Sequence, residues 1–206
     1  MSVVHILDSV TEWAQETICS QIKLKVPPEN ETEPTDVGYN YKLVAPVAFP
    51  LYVPASDKLP PGVLSPIPSV CVRFLEGTES LTSSKGTIGM QLCFSTWDPG
   101  IHSKDILLPD GQGGAKQWTG EKADAFFRRS GAGWRDAWNF VDIALRALGN
   151  NLTAGGFAID RSIPVKFGPL TDAGNIVEAY PLWFAWVSFS LSYDLRRNVA
   201  ELQNFL

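Results

Sequence analysis

The side chains able to do chemistry are few in this 206-residue chain, and poorly spaced for it. His5 and His102 fall at a helix start and in a turn. Neither has the i, i+4 histidine or the Cys-x-x-Cys spacing by which zinc is held. Asp98, Asp105 and Asp110 are too loosely set for a calcium loop, which wants oxygen ligands at alternate positions and a closing glutamate. Asp110-Gly-Gln-Gly-Gly-Ala-Lys116 has glycines that would let backbone N–H groups approach a phosphate. It lacks the Gly-Lys-Ser/Thr ending and the strand-to-helix setting of a phosphate loop, and reads as a flexible loop. There is no Gly-x-Ser-x-Gly elbow, and Ser83-Ser84-Lys85 misses the Ser-x-x-Lys spacing of an acyl-enzyme site. These patterns predict no catalytic, cofactor or metal site. The alternative from a different class is an enzyme or ligand-binding module that assembles distant acid–base groups and uses residues 100–133 as a lid.

The totals narrow the field further. Apolar residues make up 45% and charged residues 19%, enough to bury a core and too apolar for wholesale disorder. One domain over residues 1–206 is expected. Net charge is −5, and the basic residues gather no further than Arg128-Arg129 and Arg196-Arg197, which argues against a nucleic-acid binder. No apolar run has transmembrane length, and the start lacks the cationic and apolar regions of a signal peptide. Cys19, Cys71 and Cys93 are widely spaced in apolar-patterned segments and read as reduced, packed thiols. Asn30-Glu-Thr32 and Asn151-Leu-Thr153 match the glycosylation pattern, coincidentally if no secretory signal is present.

The elements that must position everything are organised around Leu182 to Tyr193. At period two, Trp183, Ala185, Val187, Phe189, Leu191 and Tyr193 share one face. Leu182, Phe184 and Trp186 lie on the other, which then turns wet at Ser188, Ser190 and Ser192. This predicts a strand of about 40 Å that needs partners and a cover. Upstream, Ser2 caps a helix predicted through about Ile22, with an apolar stripe from Val3 through Val10 and Trp13 to Ile18. Residues 27–66 read as an extended proline-rich arm, with Pro46, Pro50 and Pro54 interrupting strand-like residues. Ile67 to Leu75 and Gly86 to Thr96 read as antiparallel strands separated by Glu76 to Lys85. Residues 98–132 read as a long loop with one helical turn near Asp124 to Arg129. A second helix is predicted from Trp134 to Leu148, with Trp134 and Trp138 on its core stripe, Arg146 in its last turn and Gly149 as its stop. Phe157 to Ile159 and Ile163 to Phe167 read as short strands, Pro169 to Gly174 as a turn, and residues 194–206 as an amphipathic tail. Two helices against a largely antiparallel sheet give an α+β class.

The chain has seven tryptophans. Trp97 and Trp118 lie in loop contexts and read as contact residues, as do Tyr41, Phe49 and Tyr52 on the arm and Leu202, Phe205 and Leu206 on the tail.

In this order, the chain resembles the tail terminator (tail completion) family of long-tailed bacteriophages and phage-tail-like particles. Pro68-Ser-Val-Cys-Val-Arg73, Ile88 to Asp98, Trp134-Arg-Asp-Ala-Trp138 through Leu148, and Tyr180 to Tyr193 carry the likeness. The resemblance implies a non-enzymatic virion protein, assembled in the host bacterial cytoplasm, that forms a ring, typically of six. Such a ring caps the tail tube, stops its polymerisation, and offers a surface to the head–tail connector or neck protein. It implies no cofactor, no membrane, and contact with DNA only in passage. Six copies would carry a charge of −30 (6 × −5), some of which is expected to face a central channel and keep DNA from adhering. Another neck or tail-tube component is the neighbouring alternative.

Overall fold

The computed structural model describes residues 2–27, 43–98 and 133–195, together with the backbone of 107–109 and 115–117. Tyr41, Trp118, Leu202, Phe205 and Leu206, as well as the helical turn expected near residues 124–129, lie outside the described residues.

Helix α1 spans Val3–Thr17. Ser2 holds its start, its hydroxyl accepting from the His5 N–H at 3.2 Å. The expected continuation to Ile22 is shorter: Ile18 closes the helix and a single 3-10 turn, Cys19–Gln21, follows. Such tightening at a C-terminus satisfies carbonyls that the α-pattern leaves unpaired. Helix α2 spans Arg135–Asn150, two residues beyond the expected stop. Asn151 ends it, with both its backbone N–H and its Nδ2 donating to Ala147 O. Gly149 is therefore helical, and Arg146 falls short of the last turn. The carboxamide of Asn151 is spent on the cap.

The strands are β1 (Leu24–Lys25), β2 (Leu43–Val44), β3 (Val47–Pro50), β4 (Ser69–Ser80), β5 (Lys85–Trp97), β6 (Leu107–Pro109), β7 (Ala115–Gln117), β8 (Thr153–Ala154), β9 (Phe157–Ile159), β10 (Lys166–Pro169), β11 (Thr171–Asp172), β12 (Asn175–Ile176) and β13 (Leu182–Asp194). The main sheet runs β3-β4-β5-β13-β9-β8, with β10 also paired to β13. All its pairings are antiparallel except β3 with β4. The fold is α+β.

Strands β4 and β5 form one continuous hairpin rather than two strands around a ten-residue gap. Between Phe74↔Met90 and Gly77↔Ile88, Leu75 and Glu76 both oppose Gly89, and the ladder then resumes to Ser80↔Lys85. This bulge shifts the alternation by one, so β4 read as a straight strand ends at Leu75. Strand β10 also begins later than expected, beyond Pro164, which cannot donate to a ladder. Between Pro169 and Leu182 the chain makes the small β11–β12 hairpin rather than a simple turn.

One face of the sheet is the core. Ile88, Met90, Leu92 and Phe94 of β5 stand opposite Leu191, Phe189, Val187 and Ala185 of β13, and all eight are buried. Both helices cover this face. From α2, Phe140 brings its ring centroid within 4.5 Å of that of Phe94, while Trp13 of α1 packs against Phe189. The β8–β9 turn passes beneath α1 at Gly155, where φ is 59° and an added Cβ would lie 2.5 Å from the carbonyl carbon of Ser9. Only glycine meets both the backbone angle and that approach. Replacing the fully buried Phe140 by alanine is expected to cost about 3–5 kcal/mol, read as a lowered denaturant midpoint with an unchanged slope.

Candidate functional site

The sheet has two lateral margins that its own chain covers unequally. On β3 the margin is shut by one side chain: Gln15 donates from Nε2 to Pro46 O at 3.3 Å and accepts the Ala48 N–H at 2.8 Å. Its carboxamide stands in for a neighbouring strand. Strand β3 ends at Pro50, however, and Leu51 N–H donates to Val72 O. From Arg73 to Ser80, β4 is exposed along its length and forms the sheet margin. Leu51, Tyr52, Phe74, Leu75 and, at the hairpin tip, Leu81 are exposed beside it. Leu51 has φ 63°, and the Tyr52 N–H bonds to Pro50 O, so a strained one-residue turn projects these two side chains outward.

The margin beyond β13 carries a second patch. Phe167 on β10, Leu170, Ile176 and Tyr180 are exposed there. Leu170 N–H donates to Phe184 O while Val177 N–H donates to Leu170 O, which keeps these segments along the same margin. Strands β5 and β13 separate the two patches. Single exposed apolar residues are ordinary; contiguous groups mark association surfaces.

Among the expected contact residues, Tyr52 is 68% exposed and belongs to the first patch. Phe49 and Trp97 do not face solvent. Phe49 is 4% exposed, its place in β3 setting it opposite Cys71, and Trp97 is 8% exposed as the last residue of β5 rather than a loop residue. Trp134 corrects the reading in the other direction. Expected on the core stripe, it precedes α2, stands 43% exposed, and has the Arg135 guanidinium 4.9 Å from its ring centroid. Periodicity extended one residue too far placed it inside. Phe74 and Leu75 were read only as strand residues, and Phe167 as the end of a short strand. Apolar type cannot tell an uncovered margin from a covered one.

A second cluster lies where Asp98 follows the end of β5 and the described chain resumes at Gly133, ahead of α2. Lys25 Nζ stands 2.6 Å from Asp98 Oδ2, and Asp98 is buried. The Asp98 N–H donates to Pro181 O, and its carbonyl accepts from Trp183 Nε1 at 2.7 Å. A Cβ on Gly133 would fall 2.1 Å from that carbonyl oxygen, so the two ends of the segment meet at a point only glycine fits. Asp136, in the first turn of α2, completes the cluster. Burial pushes its carboxyl up to about 6, the negative charge of Asp98 adds to this, and Lys25 pulls the other way. A hydrogen bond with Asp98 keeps the proton in place. Acid, acid and amine are engaged with one another and fasten the base of the segment. Among the described residues, no group of three or more His, Cys, Asp or Glu side chains could hold a metal ion. A polar groove of about 370 Å³ between α1 and β8, lined by Ser9, Glu12, Glu16 and Thr153 among others, is open to solvent.

No family model and no curated protein matches the chain. Among the described residues, no helix is long and apolar enough to cross a membrane.

The clasp makes two predictions. Gly133→Ala should destabilise the fold or force the segment's two ends apart, seen as a lowered melting temperature and faster amide exchange at Asp98. Because Asp136 holds its proton more tightly folded than unfolded, its contribution to stability is complete below about pH 4 and is lost as pH rises through about 6. Asp136→Asn should flatten that slope and raise stability at pH 7 by about 1 kcal/mol, discounted for the water reaching this half-buried carboxyl. Urea titrations from pH 4 to 8 measure both.

Proposed function

We propose that this chain is a structural assembly protein that associates with copies of itself into a closed ring, in the manner of the tail terminators it resembles. In this reading the ring caps a phage tail tube, stops its growth and presents a surface to the neck, within the virion. The observation that carries self-association is the presence of exposed apolar residues along opposite margins of one sheet. A contact between like patches would leave the other uncovered. A contact between unlike patches is head-to-tail and satisfies both, and when the rotation closes it makes a ring. Six copies remain the number that the resemblance suggests.

The experiment is light scattering on the purified protein together with negative-stain imaging. A multiple of the monomer mass and a particle with a central hole are expected, and addition to polymerising tail tubes should arrest their lengthening. Protein that stays monomeric at high concentration and leaves tubes unaffected would end the proposal. Phe167→Glu, at an exposed position, should shift assembly toward monomer by about 100-fold or more in concentration while leaving the monomer's melting temperature unchanged.

A further inference from the structure

Cys71 and Cys93 are twenty-two positions apart in sequence (93 − 71 = 22), yet the β4–β5 register sets them directly opposite one another. Both are free thiols. Their parity places them with Phe49 and Trp186 on the sheet face away from the helices. Arg73 Nε donates to Cys71 Sγ at 3.4 Å, and the Cys93 S–H donates to Gln91 Oε1 at 3.4 Å. The guanidinium acts electrostatically on both sulfurs and the two thiols act on each other, as groups gathered in one place must.

The ladder fixes how far apart they stand. Because Leu51 N–H donates to Val72 O, the backbone of Val72 faces β3 and that of Cys71 faces β5. Cys71 and Cys93 are therefore a hydrogen-bonded pair, for which Cα atoms lie about 5.5 Å apart, inside the span a disulfide bridges. In such pairs the Cβ atoms stand wider than a relaxed disulfide prefers. A bond formed there is strained and readily reduced.

We infer that Cys71 and Cys93 form a reversible dithiol–disulfide couple, closed by a small-molecule disulfide and stapling the marginal strand β4 to β5. Cys93 is the less buried partner and attacks first. Its sulfur bonds to one sulfur of the reagent, whose S–S bond breaks and releases one thiol. Cys71 then displaces the second, forming the Cys71–Cys93 bond. Two thiol protons and two electrons pass to the reagent, which leaves as two thiols. The Arg73 guanidinium lies beside Cys71, the sulfur that completes the second step. Burial pushes the Cys93 thiol up to about 11 against the pull of Arg73, so closure should quicken as pH rises through the alkaline range. Cys19 belongs to the helix-covered core, its thiol pushed up to about 12 by burial, and serves as an internal control.

The test incubates the folded, full-length protein with oxidised glutathione at pH 8.5, quenches by alkylation, and measures intact mass and non-reduced peptides. A loss of about 2 Da, reversed by dithiothreitol, with the Cys71 and Cys93 peptides linked, is expected. Cys71→Ser should instead stop with one glutathione on Cys93. Cys93→Ser, altering the less buried position, should leave Cys71 largely unmodified. Native protein that stays unreacted while the unfolded chain reacts fully would overturn the inference. So would two stable mixed disulfides, or linkage through Cys19.

Discussion

The pairing of β13 with β5 is the constraint on which the rest depends. It runs without interruption from Leu182↔Trp97 to Asp194↔Lys85. It joins the end of the chain's described part to its middle, so every other strand of the main sheet is placed relative to it. Its register puts four apolar side chains from each strand on one face and leaves Leu182, Phe184 and Trp186 with serines, Gln91 and Cys93 on the other. A slip by one residue would exchange those faces and lose the core. Both helices pack on the face that carries these eight buried side chains.

That arrangement also decides where the molecule is left incomplete. A sheet covered on one face still has margins, and this one treats them differently. Gln15 closes β3 by imitating a strand, whereas the bulge at Leu75 and Glu76 and the outward turn at Leu51 leave apolar groups uncovered beside β4. Bulges and charges along a margin discourage indiscriminate pairing, while exposed aromatics and leucines favour a chosen contact. In the ring proposed above, that contact would be made with another copy of the chain. Phe167 and Ile176 are exposed on the opposite margin, where the proposed ring would place its second contact.

Asp98 and Asp136 hold distant parts of the chain together. Asp136 is linked to Asp98, which pairs with Lys25, where Asp98 follows the end of β5 and the described chain resumes at Gly133 ahead of α2. Groups so engaged with one another fasten the two ends of a long segment. Charge buried there is costly, which is why Asp136 keeps its proton to a higher pH than a free carboxyl does.

The sequence by itself determined the elements with strong periodicity. These are the long closing strand and its two faces, the alternation of β5, both helices within a few residues, and hence the α+β class. Local pattern suffices there because one residue's face depends only on its neighbours along the chain. The ends of α1 and α2, the unbroken β4–β5 hairpin and the small β11–β12 hairpin were decided by caps, a bulge and turn geometry that composition does not display. The candidate surfaces were harder still. Trp97 and Phe49 turned inward and Trp134 outward because burial depends on what packs above a residue, not on its type. Cys71 and Cys93, or Asp98 and Asp136, became neighbours only through pairing between distant segments, which no one-dimensional period encodes.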